Sequence, residues 1–291
     1  MAVLDDILIK VRHVPPLSPV ALRVMRMAGD EDCSLQEVAK VIGTDAALMA
    51  NILKVVNSAA YAQSTPITSL PMAVTRLGLR MVVGIALGAC APHLYDAPLT
   101  GYESLRGDMW QHSLRTAISA RELCRFSVVR LNEPLAYTAG LLHDLGKAVI
   151  SQFLQGSTRE LVSWLNDERS PDFLQAERRK LGTDHAEIGH QLGCLWKLPE
   201  PFCMTMRYHH APALAETALK PLVYAVHVGD IVAMMSGMGT GADTLMYPLD
   251  KQYGDHIKIS AEAFEKLVIR GQDEFDKTVA ALNTAANGGS T

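Results

Sequence analysis

Apolar residues recur at helical spacing along nearly the whole chain, and alternating β-branched runs are almost absent. "VPPLSPVALRVMRMA" opens with Pro15, Pro16 and Pro19 and then runs through Leu22, Val24, Met25 and Met27, a helix with proline in its first turn. In "SLQEVAKVIG", Ser34 and Glu37 take capping-box positions. Val38, Val41 and Ile42 make the stripe, and Gly43 is the stop. "TDAALMANILKVVNSAAY" starts at Thr44 or Asp45 and places Leu48, Ile52, Val55 and Val56 on one face. It ends near Asn57 and Ser58, which either close the helix or reach a facing lobe. "TPITSLPMAVTRLGLRMVVGIALGACA" predicts a short and a longer helix that pivot near Gly78. The Met25, Met27, Met49 and Met81 positions read as core.

Turn formers crowd residues 94–104, "LYDAPLTGYES", which predicts a linker. Helical periods then resume. "MWQHSLRTAISARELCRFS" is one long helix, and "PLAYTAGLLHDLGKAVISQFL" is another with an interruption around Gly146. Further helices follow as far as "KPLVYAVHVGDIVAMMS". "GMGTGADTLMYPLDKQYGD" reads as Gly-rich loop, Ser260 as the N-cap of one or two closing helices, and "NGGST" as a frayed tail. The predicted fold class is all-α, a two-lobed helical bundle. Its parts are an N-terminal lobe over 1–100, a second lobe over 101–240, and a loop with C-terminal helices over 241–291.

Composition changes this picture little. With 48% hydrophobic and 20% charged residues in 291, the chain is long and apolar enough for a large core. The net charge of −4 gives no global basic field, which disfavours nucleic acid as a partner. Five cysteines, odd in number and without CxxC spacing, read as reduced thiols in a cytoplasmic protein. No membrane span is expected, since "MVVGIALGACA" is too short and no long apolar run replaces it.

The candidate chemistry lies in the histidines and acids between 112 and 230. His112, His143, His185, His209 and His210, with Asp144 and Asp230, each fall in a helical segment or at its end. Imidazole and carboxylate together suit divalent cations such as Mn, Fe, Ni, Zn or Mg. A carboxylate can bridge two ions roughly 3.5–4 Å apart, and such a pair can activate water against a phosphate. Adjacent His143 and Asp144 point about 100° apart on a regular helix, so only a helix end or irregular turn aims both inward. Plainer readings stand beside this one. The doublet could be a buried hydrogen-bonded pair, Asp230 could pair with Arg207 or Lys147, and Lys147 could be a solvated helix-end cation. His227 is placed as packing near Asp230, and His13, His93, His190 and His256 as background.

"LLHDLGK" resembles the signature of the HD superfamily of metal-dependent phosphohydrolases. The upstream His112, later His185, the His209–His210 pair and Asp230 follow that pattern in order. "PPLSPVALRVMRMA", "SLQEVAKVIGTDAALMANILKVVNSAAY", "ITSLPMAVTRLGLRMVV", "ERRKLGTDHAEIGHQLGCLWKLPEPF" and "YHHAP" resemble the HDOD domain, a bacterial signal-output relative, from about residue 12 to 235. The resemblance implies a metal site of one or two divalent ions. His112, His143, Asp144 and Asp230 fall at the first position and His185 with His209 or His210 at the second. Asp144 is then the bridge and Lys147 the phosphate contact, the two catalytic candidates. It implies a regulatory module acting through a signalling protein partner or a small nucleotide or phosphorylated ligand. The alternative is a phosphohydrolase of nucleotides or phosphomonoesters, and a homo-oligomer is compatible with either. After the His pair the chain reads "HHAPALAETALKPLVY" and lacks the GYP-type stretch of the related cyclic di-GMP hydrolases, which argues against that substrate.

Overall fold

A computed structural model of the chain describes residues 2–30, 32–58, 66–90, 92–95 and 97–287. The end of the "NSAAY" motif and residues 288–291 of the tail lie outside them. The described residues form sixteen α-helices joined by 3-10 turns. The one β pairing among them is an isolated bridge between Ser127 and Ile257.

The N-terminal lobe is built from α2 (Pro19–Ala28), α3 (Leu35–Ile42), α4 (Ala46–Val56) and α5 (Leu70–Cys90), after a leading α1 (Ala2–His13). Ser18, Ser34 and Asp45 cap α2, α3 and α4 by accepting a backbone N–H three residues on. The predicted pivot in α5 is real, because Gly78 takes φ 75, ψ 162 inside the helix. By length and apolar content Leu70–Ala89 could cross a membrane, but half of it is buried inside the body and Val74, Val82, Val83 and Leu87 are core. Asn57 ends α4 and serves its own lobe. Its amide donates to Leu53 O and Ile67 O and accepts from Ile67 N, each at 2.8 Å.

The short α6 (Pro92–Tyr95) and a 3-10 turn over Thr100–Tyr102 occupy the segment predicted as linker. It packs as core instead. Tyr95, Leu99 and Tyr102 are buried, and Tyr95 OH donates to Leu141 O at 2.8 Å. Apolar content in that stretch outweighs its turn formers.

The second lobe centres on α7 (Asp108–Leu123), with α8 (Glu133–Leu142), α9 (Leu145–Leu154), α10 (Thr158–Asn166), α11 (Phe173–Leu181), α12 (His185–Leu195), α13 (Glu200–Tyr208) and α14 (Lys220–Met235) around it. Both α8 and α14 pack on α7, and α9 packs on α12. A Cβ at Gly229 would lie 2.9 Å from Ala120 N, so α14 reaches α7 only because that side chain is absent. The lobes meet where α8 packs on α2 and α5. The final α15 (Tyr253–His256) and α16 (Ala261–Asn287) follow, and α16 lies on both α7 and α4. Ser260 caps α16 through Ala263 N at 3.2 Å. Arg121 of α7 donates to both Glu274 carboxylate oxygens at 2.5 and 2.6 Å, fastening that helix.

Candidate metal centre

The apolar run through "GLLHDLGK" breaks one residue pair earlier than Gly146. α8 ends at Leu142, Asp144 takes φ −99, ψ 6, and α9 begins at Leu145. The break falls on the doublet itself, so both side chains turn inward. Gly146 has a different task. A Cβ there would sit 1.9 Å from His185 O, so its hydrogen allows α9 to lie against the start of α12.

This packing gathers His112, His143, Asp144, Lys147, His185, His209, His210 and Asp230 in one cluster, and none of these side chains is more than 3% exposed. His112 Nε2 lies 3.0 Å from Asp230 Oδ1, 3.4 Å from Asp144 Oδ2 and 3.3 Å from His143 Nε2. His143 Nε2 is 3.5 Å from Asp144 Oδ2 and 3.7 Å from Asp230 Oδ1. On the other side of the same carboxylate, Asp144 Oδ1 faces His185 Nε2 at 3.5 Å and His209 Nε2 at 3.4 Å, and His210 Nε2 is 3.1 Å from His185 Nε2. Asp230 therefore pairs with histidines, while Arg207 pairs with Glu187 at 3.3 Å.

The far side of four of the five rings fixes its proton. His112 Nδ1 faces Met238 O at 2.5 Å, His143 Nδ1 faces Gly140 O at 2.7 Å, and His209 Nδ1 faces Met206 O at 2.9 Å. A carbonyl only accepts, so Nδ1 carries the proton and Nε2 offers its lone pair to the centre. His185 Nδ1 is held by Glu177 Oε2 at 2.8 Å, and Tyr102 OH donates to Glu177 Oε1 at 2.6 Å. His227 stays outside the cluster. Its Nδ1 donates to His209 O at 2.7 Å and its Nε2 accepts from Asp250 N at 2.9 Å. His190 also lies outside it, with Cys194 Sγ 3.6 Å from its Nε2.

Lys147 is fully enclosed. Its Nζ contacts Asp144 Oδ2 at 2.8 Å and Asp243 Oδ2 at 2.7 Å and donates to Thr240 Oγ1 at 2.9 Å. The reading of Lys147 as a solvated cation is thereby excluded, since the side chain is 2% exposed. Tyr247 OH donates to Asp243 Oδ2 at 2.8 Å, and the Tyr247 ring stacks on His210 at 3.8 Å. Thr240, Asp243 and Tyr247 come from the segment read only as a Gly-rich loop. Tyr102 comes from the predicted linker and Glu177 from α11, where nothing in the local pattern set it apart.

Electrostatics favour a cation in this cluster. Burial disfavours a charged imidazole at His112, yet hydrogen bonds and charge from Asp144 and Asp230 push it up to about 10. Burial would raise Asp144 and Asp230. Lys147 and His143 at the first, and His112 and His143 at the second, instead hold them well below the usual carboxylate range. Burial first, then Lys147, pushes His185 down to about 3. Lys147 is raised because its two carboxylates outweigh burial.

The residues fit a divalent metal. Asp144 Oδ1 and His209 Nε2 are buried with no hydrogen-bond partner. His112 Nε2 and His143 Nε2 face each other across 3.3 Å, a contact that a proton on His112 or a cation between them relieves. An ion about 2.1 Å from each donor spaces neighbouring donors about 3.0 Å apart at right angles and about 3.4 Å at tetrahedral angles. Around His112 the separations of 3.0, 3.3 and 3.4 Å fall in that range, and those of His143 to Asp144 and Asp230, 3.5 and 3.7 Å, lie just above it. Two donor sets emerge, His112–His143–Asp144 and Asp144–His185–His209–His210, each with ligand atoms within 4.8 Å of one another.

Residues 14–212 match the model of the HDOD domain. A solved HDOD domain protein of unknown function from Geobacter sulfurreducens is 26% identical with a TM-score of 0.70, over 98% of this chain and 97% of that one. A proposed signal transduction protein from Marinobacter aquaeolei VT8 shares the fold at TM-score 0.74 and 24% identity, over 95% of this chain and 60% of that one. An uncharacterized protein from Treponema pallidum (strain Nichols) is 29% identical over 219 residues, 75% of this chain, and the chain spans only 41% of that relative's length. The family match covers most of the chain and takes in the doublet, His112, His185 and the histidine pair, so this chain belongs to the HDOD domain family.

Proposed function

We propose that the chain is a cytoplasmic regulatory module whose HD-like centre holds one or two divalent ions and acts through a protein partner or small ligand without turnover. The carrying observation is the enclosure of the centre. Every candidate ligand side chain is at most 3% exposed, and Lys147 beside Asp144 is held by two carboxylates and a threonine. In this reading His112, His143, Asp144 and Asp230 hold one ion, and Asp144, His185, His209 and His210 hold the other. The ions tie α7, α8, α12, α13 and α14 to one point, so metal occupancy stabilises the lobe that a partner reads. Membership of a family of signal-output domains supports this role.

A second reading has its own observation. Two donor sets share Asp144 in the arrangement a bridging carboxylate requires, which favours a phosphohydrolase of nucleotides or phosphomonoesters. Bound ions would supply Lewis acidity and an activated water, Asp144 would hold them, and Lys147 would meet the phosphate. Elemental analysis of the purified protein tests both readings. Metal at one or two equivalents, lost in Asp144→Ala, supports the centre, and metal-free protein sinks it. A nucleotide and phosphoester screen with several metals separates the two. Turnover abolished by Asp144→Ala would make the protein an enzyme and overturn the regulatory reading.

A further inference from the structure

The loop between α14 and α15 carries an acid into the heart of the centre. Gly237 turns it inward with φ 80, and it is tied down by Ala242 N to Tyr102 O at 2.7 Å, Phe173 N to Met246 O at 3.1 Å and Asp250 N to His227 Nε2 at 2.9 Å. The Asp243 side chain is 1% exposed and accepts from three groups: Lys147 Nζ, Thr240 Oγ1 at 2.9 and 3.0 Å, and Tyr247 OH. A cation, a hydroxyl and a phenol converging on one carboxylate is the donor set that protein sites present to an oxyanion. The whole loop lies beyond the 14–212 family match.

Charge balance sharpens the point. Lys147 is one positive charge between Asp144 and Asp243. Once Asp144 serves an ion, Asp243 is the remaining counter-charge of Lys147. Leu245 in the same loop takes left-handed backbone, φ 60, and is 56% exposed, a conformation disfavoured for a residue with a Cβ.

We propose that Asp243 is a built-in stand-in for an anionic ligand. Its carboxylate fills an oxyanion site made by Lys147, Thr240 and Tyr247, and a carboxylate or phosphoryl ligand enters by displacing the Asp243 side chain from those donors. This deepens the regulatory reading, since ligand and Asp243 then compete for one cation. The Asp243 side chain, seated or displaced, is what a partner would sense.

The test is rescue of full-length Asp243→Ala by added anion, read as melting temperature in chelator-treated protein. Sodium formate and inorganic phosphate are the probes, and chloride at matched ionic strength is the control. Asp243→Ala melts below wild type, and formate or phosphate restores about half of the loss or more while moving wild type by no more than about 1 °C. In Lys147→Met/Asp243→Ala neither anion restores stability. If Asp243→Ala does not fold, Asp243→Asn keeps the shape and hydrogen bonds to Thr240 and Tyr247 but drops the charge. Phosphate or formate must then stabilise it more than wild type. Equal shifts in wild type, single and double variants, or no shift from either anion, overturn the proposal. Because the protein is metal-free throughout, this outcome is independent of metal content, which tests the regulatory centre itself.

Discussion

Replacing Gly146 by alanine separates the packing argument from the ligand argument, because the change adds one methyl and removes no donor. The new Cβ would stand 1.9 Å from His185 O, 2.7 Å from Gly189 N and 2.8 Å from the His185 carbonyl carbon. All three are backbone atoms, so no side chain can swing aside. Ordinary contact begins near 3.4 Å, which leaves a shortfall of about 1.5 Å at the carbonyl. α9 and the first turn of α12 must part by a distance of that order. His185 Nε2, now 3.5 Å from Asp144 Oδ1, then moves out of reach of an ion that Asp144 also holds. His112, His143 and Asp230 stand on α7, at the end of α8 and on α14, and none packs through Gly146. Gly146→Ala is therefore expected to lose the His185-containing ion and keep the other. Overpacking costs about 1–3 kcal/mol, and at roughly 2–4 °C per kcal/mol for a chain of this size the melting point falls by about 2–12 °C. Isothermal titration with Mn, alongside a thermal melt, reads both effects. A variant that binds metal with wild-type stoichiometry and melts within about 1 °C of wild type would refute the reasoning.

Two further outcomes follow from the same geometry. Stripping metal with a chelator should lower the melting temperature, since ligand at 100 times its dissociation constant stabilises by about 2.7 kcal/mol. Asp144→Ala should melt alike with and without Mn, and a wild-type melt indifferent to chelator would contradict the centre. The Arg121–Glu274 bridge between α7 and α16 should weaken in acid. Burial raises Glu274, but Arg121 outweighs it and holds the folded carboxyl below its ordinary 4.5. A depressed folded value contributes stability that is complete above about 4.5 and is lost as pH falls through the folded value. The urea midpoint of Glu274→Gln should therefore trail wild type at pH 6, and the gap should narrow as pH falls below about 4.5. A gap that stays constant over that range would refute the assignment.

The periodic pattern was enough to predict an all-α chain, because amphipathic stripes and caps act within a few residues. Ser34, Asp45, Ser260 and the Gly78 pivot behave as local rules require. The metal candidates were legible for a related reason. Imidazole and carboxylate are scarce on helices that otherwise bury apolar faces, so an ordered series of them stands out. The break between α8 and α9 was not legible at its true place, since the apolar run continues on both sides of the doublet and periodicity carries no mark of it.

The rest of the centre belongs to tertiary structure. Asp243 is 96 residues from Lys147, in a loop whose glycines and acid look like any solvated turn. Tyr102 and Glu177 meet at 2.6 Å across 75 residues. Local sequence sets helix ends and the directions in which their side chains leave. The packing of α9 on α12 and the fold of the last loop over Lys147 set which ends meet and what fills the space among them. The sequence by itself determined that residues able to ligate a metal are present, and tertiary packing decided that Lys147 is engaged by the chain's own Asp243. The physical reason is that a buried charge must find its counter-charge wherever the fold supplies one, and proximity along the chain is not required.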